Sequence, residues 1–197
     1  MFFVTKPSLA RIHELITAQH QLSFSYPEIG ATRTTPPPGY TVDYNRVQLG
    51  FGKESFERAV NAVRTWQQFD LGWVEATPTD TPIELNATIG VLAHHLGFWS
   101  LNFSRIVYLI NEQGTIDKFG FAYGTLANHV ERGEERFTIE WHREDDSVWY
   151  DILAFSKPNQ LLIRLGRPFA RRLQKRFAKD SLQAMVKAVD EEVVGQQ

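Results

Sequence analysis

Within the charge-rich stretch of residues 129–136, four side chains are candidates for chemistry: His129, Glu134, Glu135 and Arg136. A histidine beside a carboxylate has the makings of a general base. A glutamate next to an arginine can also anchor a polar ligand head through charge-assisted hydrogen bonds. The same residues equally suit a tight hairpin loop tied by a salt bridge and a side-chain hydrogen bond. No partner nucleophile is recognisable in the sequence to decide between these readings. His129 and Glu135 are the catalytic candidates, and Glu134 and Arg136 the ligand-binding ones.

A second group lies on neighbouring segments. Asp151 alternates with Trp149, Leu153 and Phe155, and a carboxylate on an apolar face needs a partner. Tyr123, Arg105 or the closing helix can supply it. Tyr123, Arg105, Asp151 and Trp149 then form either the polar and aromatic lining of an apolar pocket or a structural ion pair with its neighbours. Other chemistry is weakly signalled. The chain has no cysteine, which excludes thiol chemistry, disulfides and cysteine-based zinc sites. His94 and His95 are adjacent, so on a strand they face opposite ways and cannot easily share a metal. No metal site is expected. Gly50-Phe51-Gly52-Lys53 is not a phosphate loop, because Glu54 follows the lysine and Val47 occupies the place of the first glycine. No cofactor is expected.

The elements that must position these residues are legible in outline. Ser8 can cap a helix to about Gln19, with Leu9, Ile12, Leu15 and Ile16 on one face. Pro36-Pro37-Pro38 forces an extended loop. Thr41 to Leu49 alternates loosely as a strand. Phe56, Ala59, Val60, Val63 and Trp66 mark a helix from Gly52 to about Gln67. Thr88–His95, Trp99–Ile110, Lys118–Leu126, Arg136–Arg143 and Ser147–Phe155 are rich in β-branched and aromatic residues, with turn signals between them. The gaps are too short for crossover helices, which predicts consecutive antiparallel strands. In the fourth, Phe137, Ile139 and Trp141 alternate with Arg136, Thr138, Glu140 and His142, predicting one buried and one wet face. In the third, Gly120, Ala122 and Gly124 share a face that leaves room for a helix or a ligand. Pro158 fits a helix start, followed by Leu161, Leu162 and Leu165. Pro168 to about Glu192 forms the long closing helix, its apolar side running through Phe169, Leu173, Phe177, Ser181, Ala184 and Ala188.

The composition suits a single domain over residues 1–197, with 43% hydrophobic residues, 14 Phe and 5 Trp. Such an aromatic load fills a wide core or lines a pocket. No signal peptide is apparent, and no apolar run approaches the ~18 residues of a membrane span. The expected location is cytoplasmic. Two glycosylation sequons, at Asn86 and Asn102, are read as chance matches. Charge is uneven: residues 157–187 carry a net +8 and the rest of the chain −10. That asymmetry suits either a solvated basic helix face docked on an acidic body or a nucleic-acid or anionic-membrane surface using Arg167, Arg171, Arg172, Lys175, Arg176 and Lys179.

Gly120-Phe-Ala-Tyr-Gly-Thr-Leu, then His129, then Gly133-Glu-Glu-Arg-Phe resembles the signature of a bacterial and plant family known as domain of unknown function nineteen-ninety. The resemblance continues through Ser147-Val148-Trp149-Tyr150-Asp151-Ile152 and the arginine-rich helix. Upstream it takes in Tyr26, Gly30, Gly39-Tyr40, Gly50, Gly52, Phe56, Trp73 and Arg105-Ile106-Val107-Tyr108. It departs at Ala127, Asn128 and Val130, where the family pattern carries Pro and Gly. A more distant similarity to the helix-grip proteins of the START and Bet v 1 group implies an apolar pocket between a curved sheet and a C-terminal helix.

The expectation is an α+β fold with a curved antiparallel sheet wrapped on the long C-terminal helix. The expected function is binding of a small apolar or amphipathic molecule between them, with the His129–Arg136 loop near the mouth. The alternatives are an enzyme of cyclase, hydrolase or isomerase type in the same pocket, and an adaptor acting through the basic helix.

Overall fold

Between residues 88 and 158 every connection is too short for a crossover helix, and the chain there folds as an antiparallel meander. The computed structural model of the protein describes residues 1–159 and 167–194. Its strands are β1 (Phe2–Phe3), β2 (Thr41–Phe51), β3 (Val74–Thr77), β4 (Thr88–His95), β5 (Phe98–Glu112), β6 (Ile116–Thr125), β7 (Glu131–His142) and β8 (Ser147–Pro158). Its helices are α1 (Leu9–Gln19), α2 (Gly52–Arg64) and α3 (Arg167–Val194), with single 3-10 turns at Ala31–Arg33 and Gln67–Phe69. One curled antiparallel sheet runs β2-β8-β7-β6-β5-β4-β3, and β1 pairs with β5.

The concave face holds the larger core. Phe121, Phe137, Ile139, Tyr150 and Ile152 of the sheet meet Ala59 and Val63 of α2, Trp66, Phe69, and Met185 and Val189 of α3. Two polar residues midway along α3 are not defects in this contact. Asp180 accepts from Trp73 Nε1 at 2.9 Å, and the Ser181 hydroxyl lies 3.0 Å from the Tyr150 hydroxyl. A curved sheet gripping a long C-terminal helix is the helix-grip architecture the sequence led us to expect. The convex face carries a smaller core, where Ile12 and Leu15 of α1 cover Leu92, Leu101, Phe103 and Leu126. Ser8 caps α1 as expected, accepting from the Arg11 N–H at 3.3 Å. No helix among the described residues is long and apolar enough to cross a membrane.

Four expectations are corrected. The Gly120-Ala122-Gly124 face points outward, away from α3, because Phe121 and Tyr123 take the inner face. The segment from Phe24 to Thr32 crosses it, and a side chain at Gly124 would collide with the Tyr26 ring. β7 begins at Glu131, so Glu134, Glu135 and Arg136 stand on a strand and not in a loop. Its outer face is polar but not wet: Thr138 and Glu140 are buried. Arg46 and Lys118 each reach Glu140 at 3.0 Å, and His142 reaches it at 3.1 Å. Pro158 ends β8 opposite Glu131 and does not start a helix, in keeping with a residue that has no N–H to donate to a ladder. The turn read at Leu161, Leu162 and Leu165 lies outside the described residues.

Candidate functional site

The N-terminal half of α3 does not close onto the sheet. Beneath it lies a cavity of about 560 Å³, within the size range of small-molecule sites. Its walls are mostly apolar: Phe69, Trp73, Ile152, Phe169, Leu173 and Phe177 among them. Phe177 packs on Phe69 with ring centroids 5.2 Å apart, which marks the end where filled core gives way to space.

One polar row crosses this face. Register places Tyr123 of β6 opposite Glu135 of β7, Glu135 opposite Ala154 of β8, and Ala154 opposite Asp43 of β2. All four border the cavity. Tyr123 donates its hydroxyl proton to Glu135 Oε2 at 2.8 Å. At the far end Arg171 of α3 grips both carboxylate oxygens of Asp43. Burial pushes the Glu135 carboxyl up to about 7; the Tyr123 hydrogen bond opposes the rise, and the Asp43 charge adds to it. Burial also raises the Tyr123 phenol well above its ordinary value, and the charge of Glu135 raises it further. Further along, the Asn102 carbonyl oxygen is buried without a hydrogen-bond donor, and Asn102 borders the same cavity.

His129 reaches the cavity from the turn between β6 and β7. Its Nδ1 lies 2.9 Å from the Glu131 N–H and 3.1 Å from the Glu131 carbonyl oxygen. Burial lowers its pKa to about 4, against the opposing backbone hydrogen bond of Glu131. The ring is therefore neutral near pH 7. Asn159 secures this turn, donating to the carbonyl of His129 at 2.7 Å and accepting from Arg132 Nε at 2.6 Å.

The other candidates are not brought into this group. Glu134 points its carboxylate to the convex side, where it accepts from the Tyr26 hydroxyl at 2.7 Å, the Gly30 N–H at 2.7 Å and the Thr32 N–H at 2.9 Å, and also from the Thr32 hydroxyl. Arg136 pairs with Asp151 at 3.3 Å on the same outer side and donates to the Thr32 carbonyl at 3.0 Å. Burial raises the pKa of Asp151, and Arg136 opposes that rise. Trp149 is also outward, beneath the guanidinium of Arg46, with its Nε1 donating to the Ser147 hydroxyl at 2.8 Å. Arg105 collects the carbonyls at the end of α1, Gln19 at 2.7 Å, His20 at 3.1 Å and Leu22 at 3.0 Å. Strand parity explains the split: Glu135 and Tyr123 share inward parity, whereas Glu134, Arg136, Asp151 and Trp149 alternate outward.

Asp43, Ala154 and Arg171 complete the row; Asp43 and Ala154 are not apparent as site residues from sequence, where Arg171 reads only as part of the basic helix face. One signal was available. In Thr41–Phe51 the apolar Val42 and Tyr44 are 47% and 54% exposed, while Asp43 and Asn45 face the cavity. An inverted alternation, polar inward, marks a strand that lines a space. The basic stretch of α3 is partly engaged: Arg171 holds Asp43, and Arg176 pairs with Asp180 at 3.3 Å and covers Trp73. Arg172, Lys175 and Lys179 are exposed. His94 stacks on Trp99 at 4.6 Å, whereas His95 lies 3.2 Å from the Ser100 hydroxyl.

Comparison with known proteins bears on the fold and the lineage. A protein-family model described as Domain of unknown function (DUF1990) matches residues 25–184. A UPF0548 protein of Dictyostelium discoideum is 41% identical, spanning 96% of this chain and 96% of its own. A UPF0548 protein of Arabidopsis thaliana is 34% identical, spanning 77% and 75%. The crystal structure of a hypothetical protein from Helicobacter pylori superposes with a TM-score of 0.51 at 11% identity, covering 85% of this chain and 94% of that one, a likeness of fold alone. The match across residues 25–184 takes in the Tyr26–Thr32 clamp, the polar row and most of α3, and the chain belongs to the DUF1990 family.

Proposed function

We propose that the protein binds a small apolar or amphipathic molecule in the cavity between the concave face and α3. The observation that carries this reading is the cavity itself: about 560 Å³, with aromatic and aliphatic walls and one polar row. Apolar walls supply affinity through burial, and a few placed polar groups orient the ligand. The test is native mass spectrometry of gently purified protein, followed by denaturing extraction. An added mass that is released on denaturation, and lost in a variant with the cavity filled, supports the reading. A clean mass together with no uptake of apolar probes overturns it.

A second reading rests on Glu135. A carboxyl whose pKa stands near 7 and which is hydrogen-bonded to a phenol can exchange a proton with a bound molecule at neutral pH. Glu135 would be the general base or acid of an isomerase- or cyclase-type step, with Tyr123 orienting it. His129 is less suited to the base role, since its low pKa makes it a weak base. If bound ligand returns chemically unchanged after long incubation with the protein, binding alone remains.

A further inference from the structure

Ala154 has a carboxylate on either side of it in the row. Adjacent strands lie about 4.8 Å apart, so the backbones of Glu135 and Asp43 are separated by roughly 10 Å, with only a methyl group between. The two acids are differently committed. Asp43 has both oxygens engaged by Arg171. Glu135 accepts from Tyr123 through Oε2, and no other donor reaches it among the described residues. Oε1 is thus free to meet a ligand over the Ala154 methyl.

Charge points to the kind of ligand group. Asp43 and Glu135 are the two acids of the row; Asp43 is bound to Arg171, and exposed Lys175 also borders the cavity. His129 is neutral at pH 7. The unpartnered acceptor of Asn102 adds to an environment rich in acceptors. A ligand carboxylate placed there would face the like charge of Glu135, whereas a cation would pair with it and favour its ionised form. We infer that the space above Ala154 is a subsite for a protonated amine carried on an otherwise apolar ligand, with Glu135 as its counter-ion. This rests on the binding function proposed above and names its substrate class.

The test compares n-octylamine, 1-octanol and octanoate, which share one chain length and differ in head group. Each is titrated calorimetrically into the purified full-length protein at pH 7. Octylamine is expected to bind roughly tenfold more tightly than octanol, with octanoate weakest. Glu135→Gln is expected to bring the amine-to-alcohol ratio to within about twofold. A wild-type measurement guards against a variant that does not fold. In buffers of differing ionisation enthalpy, octylamine binding at pH 7 should release a proton from Glu135, and octanol binding should not. Tyr123, Tyr150 and Asp43 also face this carboxyl; of these Asp43 is already paired with Arg171, and both phenols are raised by burial. Octanol binding without any advantage for the amine would overturn the amine subsite and leave the apolar cavity reading intact. Preferred binding of octanoate would overturn it too. Binding of none of the three would overturn both.

Discussion

Glu135 of β7 and Asp43 of β2 stand in one lateral row of the sheet with Ala154 between them, and the Asp43 charge helps to hold the Glu135 carboxyl near pH 7. The consequence for stability has a definite sign. A carboxyl whose folded pKa exceeds its unfolded value binds more protons in the native state across the window between them. Here the window runs from the ordinary value of 4.5 to about 7. Stability from this group is present below the window and is lost as pH rises through it. The full loss is on the order of 3 kcal/mol as an upper limit. Urea denaturation at pH 5 and pH 8 should show the wild type weaker at pH 8, and Glu135→Gln should remove most of that difference. An unchanged slope in the variant would assign the pH dependence elsewhere.

Replacing Asp43 tests the row from its other end. In Asp43→Asn, Arg171 loses its carboxylate and Glu135 loses a like-charged neighbour. The Glu135 midpoint, followed by carbon-13 NMR of the side-chain carboxyl, should therefore fall below its wild-type position. The pair is about 30% exposed on each side, so the stability cost should be small, on the order of 1 kcal/mol. Faster amide exchange in the first turns of α3 would accompany it.

Glu134 is a structural residue of a different kind. Its carboxylate is 2% exposed and satisfies Tyr26, Gly30 and Thr32 together. Glu134→Gln keeps the shape but turns one acceptor into a donor that faces other donors. The expected cost is about 2–3 kcal/mol, with early proteolysis confined to residues 24–33. Ligand binding in that variant should survive at temperatures where it remains folded. Thermal melts with limited proteolysis read both effects.

Much of the fold was legible because its signals are local. Ser8 caps α1, β4 runs from Thr88 to His95 as its composition suggests, and short turns force the meander. The closing helix is read from its 3.6-residue period. The site was less legible because it depends on which face each strand turns inward. Glu134 and Glu135 are identical in type and adjacent, yet one clamps the N-terminal segment and the other faces the cavity. Only the register of β7 against β6 and β8 separates them. The start of β7 was obscured by Gly133, whose φ of +154° and close approach to the Phe155 carbonyl need a residue without a side chain. Arg105 reads as a pocket residue because its strand is apolar. Its target is the end of α1, more than eighty residues earlier in the chain, and no spacing rule encodes that contact.

Arg105 gives a clean separation of structure from binding. It is a capping residue for α1, holding the carbonyls of Gln19, His20 and Leu22. Arg105→Met retains the aliphatic stem and removes the donors. The last carbonyls of a helix then turn to water or go unpaired, at about 1–2 kcal/mol. Melting temperature should fall while affinity for an apolar probe stays within twofold of wild type. A larger loss of affinity would place Arg105 in the binding apparatus after all.

Ala154→Leu asks directly whether the cavity is space in solution. In a packed core, three extra carbons cost about 1–3 kcal/mol through strain and displaced neighbours. Over Ala154 the added side chain would instead enter the gap between Glu135 and Asp43 and meet Leu173 and Phe177 across it. The variant should melt within a few degrees of wild type, because burial of new apolar surface offsets the desolvation of the flanking polar groups. It should also lose a co-purifying mass and reject octanol and octylamine alike. Parallel measurement of melting and probe uptake discriminates the outcomes. A sharp fall in melting temperature would mean that α3 already fills the site in solution and that the binding function does not hold. Unchanged melting with unchanged uptake would move the ligand away from the Ala154 row toward the Phe69 and Trp73 wall, and Glu135 would lose its place as the orienting group.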